Sequence, residues 1–346
     1  MICLGVDQSK HFSQYTIGDE KGKIFKRVKI GNTSEDIKQL MDSLPQGPKT
    51  AALEASRHWG WLHDELEKYV DQVSLCNPLK MKAIAYAKIK TDSIDSETIY
   101  HLLRTDLLPI CFVPPKEIRE IKDQLRFRGF LVMLRVRVKN QIHTLVDRNH
   151  VLQPGQRPTA ELFCKKGLQC LREVQLPERQ RAILNEYLAL FEQLNKQIQT
   201  GNDWVKELYS QSPEAQQIDT IPGFAIFFSV LVRYEIGDIH RFRAADKLCA
   251  YAGLVPSTYA SGNRCFQGRI TKEGNAYLRW AAVEAAQQAV KSNPVFRELY
   301  ERIRQRKSSK IARVAVARKL LEWVYRVWKT GKTFQELISQ ATLMAA

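Results

Sequence analysis

Ile2-Cys3-Leu4-Gly5-Val6-Asp7 is the stretch on which the fold turns, an apolar run that ends on a carboxylate. It predicts a strand. Two further strand-like stretches, near Phe12 to Gly18 and Lys23 to Ile30, are parted by the turn-forming Asp19-Glu20-Lys21-Gly22 and extend it to a three-stranded meander. Thr33 or Ser34 can cap a helix running to about Ser43, which Pro45, Gly47 and Pro48 stop. Thr50 to Leu53 then make a short strand ending at Glu54. A helix follows from about Trp59 to Tyr69, and a strand at Gln72 to Cys76 is broken by Asn77-Pro78. Strands alternating with helices predict an α/β sheet domain.

Residues 79–107 are helix-prone and contain Thr91-Asp92-Ser93-Ile94-Asp95, after which Pro109, Pro114 and Pro115 mark a linker. The first domain is therefore placed at residues 1–112. From Ile118 to about Val151, apolar residues recur at helical spacing, interleaved with Arg126, Arg128, Arg135, Arg137 and Lys139, which predicts a long basic helix or helical pair that contacts nucleic acid. Residues 152–167 carry Pro154, Gly155 and Pro158 and read as a loop, and Glu178 to about Leu208 is a second long helix that can pair with the first as an antiparallel coiled coil. This middle segment spans 113–210. Residues 211–346 read as a mainly helical unit, so the chain is α/β plus all-α. Within it, Gly253 to Gly274 is a polar, glycine-rich stretch, and Arg297 to Lys332 carries twelve Lys or Arg against three Glu.

The 346 residues exceed one core at roughly 100 to 200 residues per domain, in keeping with several units. A formal charge of +16 points to a polyanionic partner, nucleic acid first. The apolar share of 44% argues against wholesale disorder. Seven scattered cysteines, none in a C-x-x-C pair, suggest reduced thiols and a cytoplasmic protein, not a disulfide framework or a zinc site. The chain shows neither the pattern of a secretory leader nor an apolar run near the roughly 20 residues of a membrane span, so no membrane partner is expected.

Asp7 and Glu54 stand at predicted strand ends, which gather around one crevice in an open α/β sheet. Asp92 and Asp95, three apart, share one face of a helix. Four carboxylates held together repel unless a divalent cation neutralises them, and such hard oxygen ligands favour Mg2+ or Mn2+. Two such ions about 4 Å apart suit phosphodiester chemistry. Taken singly, each acidic residue is also a plausible surface charge or helix cap.

The strand ending in Asp7, Leu53-Glu54-Ala55-Ser56 and Lys90-Thr91-Asp92-Ser93-Ile94-Asp95 resemble the D-E-D-D signature of insertion-sequence transposases whose amino-terminal domain is similar to the RuvC Holliday-junction resolvase. The resemblance implies a RuvC-like, RNase H-like fold in which Asp7, Glu54, Asp92 and Asp95 are catalytic and bind Mg2+. Two positions depart from the pattern: Gln8, where many relatives have a smaller residue, and Ser96, where Ala is usual.

Gly253-Leu254-Val255-Pro256, Ser261-Gly262-Asn263-Arg264 and Gly268-Arg269-Ile270-Thr271-Lys272-Glu273-Gly274-Asn275 follow one another in the carboxy-terminal part. Glycines permit close approach of backbone to a ligand, and Arg264, Arg269 and Lys272 supply phosphate partners. Ser261-Gly262 by itself reads as a turn pair. The resemblance implies more, because the same transposases carry a similar G-L-x-P, S-G, G-R-I-(S/T)-K-x-G-N order and the serine of the S-G pair is taken as the nucleophile that joins to DNA. Carried onto this chain that residue is Ser261, with Ser257 as its rival, and Gly262 and Asn275 join the basic residues as expected nucleic-acid contacts. With no His at triad-like spacing, the expectation is that carboxylate-bound Mg2+ activates the serine. Ile221-Pro222-Gly223 reads either as the start of a helix-hairpin-helix, which would offer amides to phosphates, or as a packing turn.

The resemblance further implies target and donor DNA as substrates, a structured non-coding bridge RNA as guide, a homo-oligomer (dimer or tetramer) and residence in the prokaryotic cytosol or nucleoid. Two alternatives stay open: a RuvC-like resolvase or RNase H-like nuclease that uses water, and a non-catalytic nucleic-acid-binding protein.

Overall fold

The computed structural model describes residues 1–84, 91–152, 155, 159, 161–261 and 264–345, and the chain divides into two units, residues 1–114 and 115–346. In the first, β1 (Ile2–Gln8), β2 (Phe12–Asp19) and β3 (Ile24–Gly31) form the meander. α1 (Ser34–Asp42) is capped by the Thr33 side chain, which accepts from the Asp36 amide. β4 (Lys49–Glu54), α2 (Trp59–Leu66), β5 (Gln72–Cys76), α3 (Pro78–Ile84) and α4 (Asp92–Arg104) follow. β6 (Ile110–Cys111) pairs antiparallel with β5, within the stretch expected to be linker; two residues are too few to show a strand's alternation.

The sheet order is β3-β2-β1-β4-β5-β6. β1 runs antiparallel to β2 and parallel to β4, as β4 does to β5, which is the RNase H-like arrangement. Successive residues of a strand point to opposite faces, and the two faces are sealed by different helices. Leu4, Val6, Ala51 and Leu53 face a core shared with Ile37 and Leu40 of α1 and Leu62 and Leu66 of α2. Ala52 and Cys76 face the other way, onto Ile99 and Leu102 of α4 and Met81 of α3.

α4 is held unusually close to the sheet. A side chain at Gly5 would run into the backbone of Ser96 and Tyr100, so only glycine lets the helix sit there. The buried Ser96 hydroxyl meets that of Thr16 at 2.9 Å and donates to the Ser93 carbonyl, which satisfies a polar group where the resembled family has Ala. One turn on, the Tyr100 hydroxyl donates to the Asp19 carbonyl at 2.7 Å, and Arg27 of β3 binds Glu97 through both nitrogens of its fork. That guanidinium holds the Glu97 carboxyl below the usual carboxylate range.

The second unit opens with α5 (Lys116–Arg148), α6 (Lys165–Glu173) and α7 (Glu178–Ser210). α5 and α7 lie antiparallel: Arg128 donates to Asn202 and Arg135 to Asn195, so partners on α7 fall as those on α5 rise. Leu131, Val138, Ile142 and Val146 of α5 pack on Leu184, Leu188, Phe191, Leu194 and Ile198 of α7, the three-and-four spacing of a coiled-coil seam. Gly201 gives room for the stem of Arg128.

A larger core is built from α8 (Pro213–Asp219), α9 (Ile226–Ile236), α10 (Ala245–Tyr251), α11 (Ala276–Ser292), α12 (Pro294–Arg306), α13 (Ser309–Thr330) and α14 (Phe334–Ala345). Before α11 stands a hairpin of β7 (Pro256–Ser261) and β8 (Arg264–Ile270) where the sequence suggested an irregular loop. Gly223, at φ +95°, belongs to a turn whose backbone lies against the Ala285 carbonyl of α11, so Ile221-Pro222-Gly223 serves packing. Among the described residues no helix is long and apolar enough to cross a membrane, and the described cysteines are all free.

Glu235 of α9, fully buried, organises the centre of this unit. It accepts two bonds from Arg126 (2.8 and 3.0 Å) and one from the Asn275 amide at 2.7 Å, and the Lys122 ammonium lies 3.5 Å away. Asn275 also caps α11 by accepting from the Leu278 amide, and its own N–H donates to the Tyr251 carbonyl at 2.7 Å. The hairpin root is closed by Thr271 N–H to Val255 and Lys272 N–H to Gly253, with Gly253 and Gly274 both at positive φ. A buried carboxylate thus joins the basic helix α5 to the base of the hairpin.

Two outcomes follow in thermal or urea unfolding of the whole chain. Gly5→Ala should cost about 3 kcal/mol, because the new methyl meets helix backbone and not a movable side chain. Glu235→Ala, which leaves the buried Lys122 and the half-buried Arg126 without this counter-charge, should cost about 3 kcal/mol, whereas Arg137→Ala at an exposed position should stay within about 0.5 kcal/mol.

Candidate active site

The predicted carboxylates are carried to one end of the first unit. Val6 and Leu53 are register partners on the parallel strands β1 and β4, so Asp7 and Glu54, each one residue further, stand side by side at the strand ends. Both belong to the face that α4 covers, because Val6 and Leu53 face the opposite core. α4 runs back along β1 from Gly5, beside Ser96, towards Ile2, whose register partner Asp19 on β2 lies beside Tyr100, so its amino-terminal turn overhangs that same end. Asp92 is its first residue and Asp95 lies one turn in; Thr91 caps the helix by accepting from the Ile94 amide. Acidic side chains are favourable in a helix's first turn even without a ligand.

Asp7, Glu54 and Asp95 are half-buried and Asp92 is exposed. Beside Glu54, burial pushes the Cys76 thiol up to about 12, with the Glu54 carboxylate adding to the effect. The four carboxylates offer oxygen donors, which fit a hard divalent cation. No three of the four carboxylates bring ligand oxygens within 4.8 Å of one another. The group that does so among the described residues is His63, Asp64 and Glu67, at the end of α2 on the sheet's other face, where the buried His63 Nδ1 lies 3.6 Å from a carboxylate oxygen of each partner.

Ser261 is the last residue of β7 and pairs in register with Arg264, so it flanks the turn of the hairpin. Gly262 and Asn263, the two residues between them, lie outside the described residues, as does Lys90 of the acidic motif. Ser257, the rival nucleophile, donates its hydroxyl to the Arg269 carbonyl at 3.2 Å across the hairpin. Arg269 and Lys272 are exposed.

Several residues expected to meet nucleic acid have partners inside the protein. Arg126 and Asn275 are committed to Glu235; Arg128 binds Asn202 and lies 4.0 Å over the Phe227 ring; Arg135 binds Asn195. Lys139 reaches Glu161 at 3.4 Å and lies over Phe163. Arg137 is exposed. Further along, Arg297 donates to the last carbonyls of α11, while Arg302, Arg306, Lys307 and Lys310 crowd the exposed corner between α12 and α13. Sequence reasoning passed over Lys10, Arg57, His58 and Trp61, which follow the strands that end in the carboxylates; the signal was present as cations and an aromatic ring immediately after each acidic strand end.

Comparison with known proteins agrees with this arrangement in both units. A DEDD transposase model of the IS110 type matches residues 4–151, and a model described as Transposase IS116/IS110/IS902 family matches residues 215–301; together they span more than half of the chain. Similar proteins include the transposase for insertion sequence element IS1111A of Coxiella burnetii, 25% identical over 82% of this chain and 76% of its own length. The transposase for IS1328 of Yersinia enterocolitica is 24% identical over 83% of both chains, and a probable family 20 transposase of Pseudomonas aeruginosa is 21% identical over 83% of this chain and 84% of its own. With the RNase H-like sheet, its acidic strand ends and both family matches in hand, the chain belongs to the DEDD-type transposases of the IS110/IS116 family, enzymes that act on DNA by strand cleavage and transfer.

Proposed function

We propose that this transposase cleaves and rejoins DNA through a covalent phosphoserine link at Ser261, with Asp7, Glu54, Asp92 and Asp95 as the ligands of Mg2+, or of Mn2+ in its place. The observation that carries the reading is the pairing of Asp7 and Glu54 on adjacent parallel strand ends, on the face overhung by the first turn of α4. When bound, the metal supplies charge neutralisation at the attacked phosphate and favours an ionised oxygen nucleophile.

The chain's own groups do the rest. The Ser261 Oγ gives up its proton and bonds to phosphorus as a phosphorus–sugar oxygen bond breaks, and the departing sugar hydroxyl takes a proton. Attack by a hydroxyl from another strand reverses the exchange, so the phosphodiester is conserved without net hydrolysis. Arg264, Arg269, Lys272 and Gly262, around the hairpin, hold the flanking phosphates. Arg137 and the cations between α12 and α13 extend the contact to nucleic-acid backbone.

In this reading residues 1–112 are the catalytic RuvC-like domain, 113–210 the helical segment through which a dimer or tetramer assembles, and 211–346 the serine-bearing domain. Sequence choice on target and donor DNA is delegated to a structured guide RNA, which leaves the protein to read backbone shape and charge, and the work takes place in the cytosol or nucleoid.

The decisive experiment incubates the full chain with end-labelled element DNA, its RNA and Mg2+, and resolves the products on a denaturing gel. Wild type should give a protein–DNA adduct that maps to Ser261. Ser261→Ala and Asp7→Asn should each lower strand exchange about 10^3-fold or more while DNA binding persists. Free 5′-phosphate ends with no adduct, or exchange by Ser261→Ala at the wild-type rate, would overturn the serine reading in favour of attack by water.

A further inference from the structure

On the α2 side of the carboxylate end, a cleft of about 420 Å³ opens among the loops that follow β1, β3 and β4. Gln8, Lys10, Asn32, Arg57, His58 and Trp61 line it, and no acidic residue does. Its volume lies in the range of small-molecule sites of roughly 300 to 1,000 Å³. Gln8 follows Asp7 in β1 and Arg57 follows Glu54 by three positions, so the cleft lies at the same end of the sheet as the carboxylates, on the opposite face.

The walls are held in place. Gln8 donates to the His58 carbonyl at 3.3 Å and accepts from the Ser56 hydroxyl at 3.4 Å, which ties the end of β1 to the loop after Glu54. Asn32 donates to the Ser9 carbonyl at 2.9 Å and accepts from the Ser13 hydroxyl at 2.6 Å, which ties the loops after β1 and β3. The size of Gln8 thus has a use: a smaller side chain would leave the end of β1 without these bonds to the loop after Glu54. Among the described residues neither Lys10 nor Arg57 is paired with a carboxylate, and Trp61 keeps 44% of its surface exposed at the rim. Unpaired cations beside an exposed indole match a phosphate joined to a base, because every base offers a face that stacks on an aromatic ring.

We propose that this cleft is a subsite for one nucleotide of single-stranded DNA, its phosphate held by Lys10 and Arg57 and its base stacked on Trp61, at the end of the sheet where the strand is cut. The inference rests on the reading of the carboxylate end as the cleavage site, but its binding step needs neither metal nor Ser261. A DNA strand is favoured as occupant because the cleft opens at the same end of the sheet as the carboxylates, within reach of a strand that passes over that end. The subsite would anchor the strand one side of the scissile phosphate and so fix the register of the cut.

The test uses the full chain in EDTA, so that no turnover occurs, with a 5′-phosphorylated DNA dinucleotide bearing 5-iodouracil as probe. Photocrosslinking should map to the peptide containing Trp61. Affinity should fall roughly tenfold in Arg57→Gln and in Trp61→Ala, while Trp61→Phe, which keeps a stacking ring, stays near wild type. Asp7→Asn and Ser261→Ala should bind the probe as wild type does, so the catalytic reading can fail without the subsite failing, and the reverse. The inference is overturned by crosslinks elsewhere with unchanged affinity in both variants, by inorganic phosphate binding as tightly as the dinucleotide, or by an RNA dinucleotide binding more tightly than DNA.

Discussion

The arrangement of the carboxylate end depends on the approach of α4 to β1 at Gly5, where helix backbone occupies the space a side chain would fill. The carboxylates of the helix and those of the strands are far apart in sequence, and only this contact brings the first turn of α4 over the ends of β1 and β4. Hydrogen bonds along the same line, Ser96 with Thr16 and Tyr100 with the Asp19 carbonyl, set how far the helix slides along the sheet. A shift of α4 by one turn would move Asp92 and Asp95 about 5.4 Å from where the strand ends point.

The second unit solves a similar problem with charge. Its hairpin is a two-stranded ribbon, which has little stability by itself. Rigidity comes from its root, where Asn275 is held at once by Glu235, by the Tyr251 carbonyl and by the first turn of α11. A buried carboxylate with two cations adds little net stability over an apolar core, but it is intolerant of partial disruption and so specifies one arrangement. The residue that ends the glycine-rich motif is therefore a structural anchor for the strands before it.

The high net charge is shared between these tasks and binding. Arg126, Arg128 and Arg135 of α5 turn inward to Glu235 of α9 and to Asn202 and Asn195 of α7, whereas Arg137, Arg302, Arg306, Lys307 and Lys310 stay at the surface. Interleaving of basic and apolar residues on one helix carries no mark of which cations face a partner helix. A forked guanidinium serves both purposes equally well.

The sequence alone determined the α/β alternation, the meander, the two long helices and the four acidic positions, because strand and helix periodicity, caps and breakers are local properties of the chain. The hairpin at 256–270 was not read from the sequence, because its proline, glycines and polar residues mask the alternation of a strand. Only the tertiary structure decided which face Asp7 and Glu54 share, that Gly5 admits α4, that Glu235 claims Arg126 and Asn275, and that Gln8 and Asn32 frame a basic cleft. Each of these joins residues tens of positions apart or more, or on different elements, and such meetings are set by the packing of elements against one another, which no local pattern of residues records.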